Sequence, residues 1–201
     1  MRKTELFLFF IALIFCVGRA DAQEVGLPKW RISGGVGQYS AKIGLPDMKV
    51  LHPGLLLGAS YQYNSNSRHQ LRQAAYLGAF YHGHFQTAVQ LYTEFHYEWH
   101  VGQKLFIAPM ALGGGYVASF SNMASHKWDG EKYISQKISL KNNFMISLGP
   151  SLAYRSPWKL AANPISFIFG YRLQVQGVIV RNTVPLIVYS SWQIGVGMPL
   201  N

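Results

Sequence analysis

Residues 84–100 alternate polar and apolar side chains almost without a break. The even positions read His84, Gln86, Ala88, Gln90, Tyr92, Glu94, His96, Glu98 and His100; the odd positions read Phe85, Thr87, Val89, Leu91, Thr93, Phe95, Tyr97 and Trp99. Successive side chains of a β-strand point to opposite faces, so this is a strand with one wet face and one apolar face. Its 17 residues go well past the roughly five or six of an ordinary globular strand. The same period recurs elsewhere. Leu55, Leu57, Ala59, Tyr61 and Tyr63 oppose Gly58, Ser60, Gln62 and Asn64; Ile165, Phe167, Phe169, Tyr171, Leu173 and Val175 oppose Ser166, Gly170, Arg172, Gln174 and Gln176. Near the end, Leu186, Val188, Trp192, Ile194, Val196 and Met198 oppose Tyr189, Ser191, Gln193, Gly195 and Gly197. Eight strands are predicted, at 29–38, 52–64, 68–82, 85–101, 104–119, 137–155, 164–177 and 185–200.

The connections carry a second pattern. Ser65-Asn66-Ser67 and Gly102-Gln103 read as tight turns. A two-residue turn at Gly102-Gln103 pairs Val101 with Lys104 and sets Trp99 beside Phe106. Phe106, Met110, Leu112 and Tyr116 then continue the outward face, with Pro109, Ala111, Gly113 and Gly115 inward. Long connections, 39–51 and 120–136, follow odd strands; those after even strands are shorter, the longest being 156–163. Long loops at one end and short turns at the other are the pattern of an outer-membrane barrel. An even strand count leaves both termini on the periplasmic side.

Which face turns inward follows from chemistry. Trp30, Tyr61, Tyr63, Tyr81, Tyr97, Trp99, Tyr116, Tyr154 and Trp192 lie near predicted strand ends, where interfacial aromatics belong. The opposite face gathers Arg31, Gln62, Gln70, Arg72, Gln90, Glu94, Glu98, Lys141, Arg172, Gln174, Gln176 and Gln193. A soluble lipocalin-like barrel or a β-sandwich also alternates but buries its apolar face, and this polar set makes a poor core for either. The fold class predicted is all-β: a single antiparallel up-and-down transmembrane β-barrel of about eight strands with a filled polar lumen.

Ahead of the strands, Arg2 and Lys3 precede an apolar run from Leu6 to Val17, and Ala20-Asp21-Ala22 reads as a cleavage site. This is the pattern of a secretory signal peptide over 1–22, with 23–201 forming one barrel domain in the outer membrane. Cys16 lies inside the leader's apolar core, so the mature chain has neither a disulfide nor a thiol. The net charge of +10 becomes +9 once the leader's Arg2, Lys3, Arg19, Glu5 and Asp21 are set aside. That charge favours anionic partners, membrane lipid and lipopolysaccharide among them. No helix-turn-helix, zinc-finger or RNA-binding signature is present, which argues against nucleic acid.

Over the whole mature length the chain resembles the small eight-stranded outer-membrane barrels of Gram-negative bacteria. Those proteins end on a strand read by the barrel-assembly machinery. Gln193, Gly195, Met198 and Leu200 match its spacing, although Leu200-Asn201 stands where a terminal phenylalanine is usual. The resemblance implies that machinery as a partner during biogenesis.

Eight strands enclose an interior just wide enough for side chains to fill. Arg31, Arg72, Glu94, Glu98, Lys141 and Arg172 are therefore expected to form a luminal ion-pair and glutamine network, with a narrow channel as the alternative. His96, Glu98 and His100 share a strand face, but i to i+4 on a strand spans about 13 Å, too far for one metal. No metal, cofactor or catalytic residue is assigned. A lipid A deacylase or acyltransferase would need a serine and a histidine meeting near one rim. Ser67 and His69 are the best local pair, with His82, Ser125 and His126 as further candidates. In the 121–136 connection, His126, Lys127, Trp128 and Lys132 are candidate contacts for a glycan, a lipid head group or a partner protein. A structural or surface-interaction role is expected.

Overall fold

The computed structural model describes residues 29–44, 49–83, 85–121, 125–136, 140–160, 163–178 and 186–200. The expected leader falls outside them, as does His84. The strands are β1 (Trp30–Ser40), β2 (Pro53–Gln62), β3 (His69–His82), β4 (Gln86–Val101), β5 (Leu105–Ser121), β6 (Ser125–Trp128), β7 (Tyr133–Gln136), β8 (Leu140–Leu160), β9 (Asn163–Val178) and β10 (Leu186–Leu200). All but β6 and β7 close into one antiparallel barrel, sealed where β10 pairs with β1 from Trp30↔Leu200 to Ser40↔Ser190. The eight predicted strands are these eight, with ends shifted by a few residues.

The apolar faces point outward. Leu57, Leu77, Leu91 and Ile194 are 63%, 52%, 59% and 60% exposed, whereas Gln90, Glu94 and Gln174 are at most 1% exposed. An apolar surface carried on every strand of the barrel needs hydrocarbon around it. Closure supplies the other requirement of a membrane span, since each of the eight barrel strands has a paired neighbour on both sides. The fold is an eight-stranded transmembrane β-barrel. Trp30 packs on Tyr61, and Tyr61 on Tyr63, in a rim cluster at the short-turn end. Trp192 lies in mid-β10 instead of at a strand end, and its ring stacks on Phe169 at 4.9 Å.

Three local expectations are corrected. The β4–β5 turn has three residues, Gly102-Gln103-Lys104, and Val101 pairs with Leu105. Gly102 adopts φ +76°, a conformation costly for residues with a Cβ. The longer turn puts His100 opposite Phe106 and turns Phe106 into the lumen, 2% exposed, instead of outward. A bulge between Ala108 and Ala111, visible in the β5–β8 pairing, then adds one residue. The added residue returns Met110, Leu112 and Tyr116 to the outer face and Ala111 to the lumen. Pro109 occupies the bulge and is exposed, not inward. Proline lacks an N–H, so a bulge is where a strand in mid-sheet can hold it.

The connection expected at 156–163 is mostly strand, because β8 runs to Leu160 with an irregularity between Arg155 and Lys159. The 121–136 connection, read from sequence as a loop, holds the β6–β7 hairpin, in which Trp128 faces Tyr133 across the strands.

Candidate functional site: the lumen and the loop hairpin

Inward-facing side chains join opposite walls of the barrel. Toward the long-loop end His52, just before β2, stacks on His82 of the adjacent β3 at 3.7 Å between centroids; the contacts that cross the lumen lie below this pair. Gln86 Nε2 donates to Gln176 Oε1 at 2.8 Å, and Gln90 Nε2 to Gln174 Oε1 at 3.1 Å. Around these amides Tyr39 stacks on Phe80 at 4.5 Å, and Tyr189 meets the same ring at 5.3 Å. Ala88, Tyr92, Val117 and Met145 complete an apolar plug.

Below the plug lie two charged clusters. Arg172 Nε donates to both Glu94 oxygens, at 3.0 and 3.1 Å. Ser147 Oγ donates to Glu94 at 2.6 Å, and His96 Nε2 lies 3.2 Å away. The second cluster centres on Glu98, with Arg31 Nη1 at 3.1 Å, Arg72 Nε at 3.3 Å and His100 Nε2 at 3.8 Å. Arg72 Nη2 donates to Gln62 Oε1 at 2.7 Å. Each buried carboxylate thus has at least one guanidinium, which the cost of an unpaired charge demands.

Arg172 has a second task. The β8–β9 ladder pairs Leu148 with Leu173 and Ser151 with Gly170, skipping Gly149 and Pro150. Proline cannot donate to a ladder, and the break would strand carbonyls inside the membrane. Arg172 Nη1 donates to Pro150 O at 2.8 Å and to Tyr171 O at 3.0 Å. One guanidinium therefore neutralises Glu94 and mends the sheet.

Of the six residues expected on the luminal wall, the structure brings Arg31, Arg72, Glu94, Glu98 and Arg172 into these two clusters. Lys141 does not join them. It shares the inward parity of Asn143, Met145 and Ser147 but lies beyond the last buried layer of β8, opposite Ser119, and is exposed. Sequence reasoning missed Arg155, whose guanidinium lies 4.8 Å from the Phe106 ring. It was legible as the inward residue after Tyr154, at the last position of the predicted strand. The Tyr39–Phe80–Tyr189 plug was missed too, although Ala88 and Tyr92 already stood among the wet positions of residues 84–100.

The histidine candidates separate. His96 and His100 turn to different carboxylates, and His100 also packs on Phe106 at 4.2 Å. His69 Nδ1 engages the Tyr97 hydroxyl at 2.6 Å.

On the hairpin, Trp128 is 53% and Tyr133 71% exposed, and Lys132 is exposed beside them. The tip is set by Asp129, whose Oδ1 accepts the N–H groups of Lys132 at 2.8 Å and Glu131 at 2.9 Å, with Gly130 at φ +112°. Those two amides hold the Asp129 carboxyl below its usual range. His126 and Lys127 belong to β6, but their side chains lie outside the described part.

No family model matches the chain, and no curated protein matches it. Among solved structures it is similar to Neisserial surface protein A, with 13% identity over 85% of this chain and 96% of that one, at a TM-score of 0.47. It is similar to Ail, the attachment invasion locus protein of Yersinia pestis, with 14% identity over 86% and 98% and a TM-score of 0.43. It is likewise similar to the N-terminal β-barrel domain of Pseudomonas aeruginosa OprF, with 15% identity over 87% and 98% and a TM-score of 0.37.

Proposed function

We propose that the protein is an outer-membrane barrel with a closed lumen, acting as a structural and surface-interaction element and not as a pore. The observation that carries this reading is the stack of cross-wall contacts. Gln86–Gln176, Gln90–Gln174, Glu94–Arg172 and Glu98–Arg31 follow one another along the axis. In this reading residues 1–22 direct export and are removed, and β10 presents the assembly signal. The long-loop end faces outward, where the β6–β7 hairpin offers Trp128, Tyr133 and Lys132 to a lipopolysaccharide head group, a glycan or a partner protein.

The test is membrane fractionation with gel mobility before and after boiling, followed by planar-bilayer recording of the refolded barrel. A heat-modifiable band in the outer-membrane fraction, without steady current steps, is the expected result. Reproducible single-channel steps would overturn the closed lumen, and a soluble periplasmic protein without a mobility shift would overturn the membrane assignment.

A further inference from the structure

Within the barrel strands the sequence places two acidic side chains, Glu94 and Glu98; the other six of the chain lie before β1, in the connections or at the hairpin tip. Three guanidinium groups, of Arg31, Arg72 and Arg172, pair with them, while Arg155 is partly exposed and lies against the Phe106 ring. With the histidines neutral, the two clusters carry one more positive than negative charge. An uncompensated charge in a low-dielectric interior is costly, so something negative belongs here.

The structure has room for it. A cavity of about 80 Å³ lies between the clusters, lined by Arg31, Arg72, Arg172, Ser33, Ser60 and Glu98, among others. Arg72 is 3% exposed; its Nε donates to Gln70 Oε1 at 3.3 Å and lies 3.3 Å from Glu98 Oε2, and its Nη2 donates to Gln62. Its Nη1 is buried without a hydrogen-bond partner. The two serine hydroxyls add donors that can turn toward the cavity. The volume suits a few water-sized species and is too small for a sugar or nucleotide. Glu98 in the wall disfavours a multiply charged guest.

We propose that this cavity is a binding site for one small monovalent inorganic anion of the halide class, held by Arg72 with Arg31 and Arg172 around it. The anion completes the charge balance of the lumen and is part of the folded barrel.

Two measurements on the refolded full barrel test this. Crystals grown in sodium bromide are examined by anomalous scattering at the bromine edge, where one peak within hydrogen-bonding reach of Arg72 Nη1 is expected. Separately, the temperature at which half the protein loses its compact gel band is followed while chloride replaces gluconate at constant ionic strength, which keeps screening fixed. In the parent protein this midpoint should rise with chloride and saturate, as linkage to a folded-state site requires. In Arg72→Gln it should not depend on chloride; in Arg72→Lys, which keeps the charge, saturation should need roughly tenfold more. If Arg72→Gln does not fold, Arg72→Lys and the bromide map still decide. Bromide at the surface only, a midpoint in the parent indifferent to chloride, or an unchanged chloride response in either folded Arg72 variant would each overturn the site.

Discussion

Glu94→Gln tests how far the barrel depends on its most enclosed ion pair. Glu94 is 1% and Arg172 3% exposed, and removing one partner of a buried pair costs about 3–5 kcal/mol. Glutamine still offers one oxygen, which Arg172 Nε or Ser147 Oγ can reach, so about 3 kcal/mol is expected. Arg172→Gln should cost more. It leaves Glu94 buried with only His96 and Ser147, and it frees the carbonyls of Pro150 and Tyr171. Each freed carbonyl adds about 1–3 kcal/mol, for a total of about 5 kcal/mol or more. The double variant removes both charges and leaves only the broken ladder, so it should be more stable than Arg172→Gln alone. Urea unfolding in phospholipid vesicles, read by tryptophan fluorescence and by the compact gel band, measures all four proteins. A coupling energy of about 2 kcal/mol or more is expected, because residues in one network do not add. Additivity within about 0.5 kcal/mol, or a double variant less stable than Arg172→Gln, would refute the dual role of Arg172.

Leu91→Arg places a charge on the lipid face and should cost about 2–4 kcal/mol in vesicles. Leu51→Arg, in the β1–β2 connection, should stay within about 0.5 kcal/mol; equal effects in the same urea titration would remove the case for a hydrocarbon belt. Phe80→Ala deletes the ring between Tyr39 and Tyr189 and should cost about 3–5 kcal/mol. Combined with Tyr39→Ala it should still give no current steps in planar bilayers, because Gln86–Gln176, Gln90–Gln174, Glu94–Arg172 and Glu98–Arg31 continue to cross the lumen. Deleting Pro109 removes the extra residue of the β5 bulge, so either Phe106 or the Met110–Leu112–Tyr116 face must reverse. The heat-modifiable band should be lost, and a deletion variant that refolds normally would show that the bulge does not set the register.

The strands were readable because the solvent imposes a period of two on every one of them, and a membrane barrel exposes that period over more residues than a globular sheet does. The inward set followed from the same parity: Arg72, Glu94 and Arg172 could be placed without any contact being known. Parity carries no height, however. Lys141 obeys it and still escapes the lumen, because nothing local to Lys141 says that the last buried layer of β8 ends at Asn143. Parity is also carried across a turn only if the turn's length is known. Counting two residues at Gly102 instead of three sends Phe106 to lipid, and the bulge at Pro109 then cancels the error, so that Met110, Leu112 and Tyr116 come out on the expected side. The proline was the available signal. A residue that cannot donate in mid-sheet announces a bulge, a bulge shifts parity by one, and the preceding turn must then differ by one for both flanks to keep their faces. The same reasoning applied to Pro150 predicts a second break in the ladder, and the residue that mends it is Arg172, whose register position on the next strand falls opposite Gly149, one residue before the proline. A luminal arginine beside a membrane-embedded proline therefore has a structural use that its ion pair alone does not reveal.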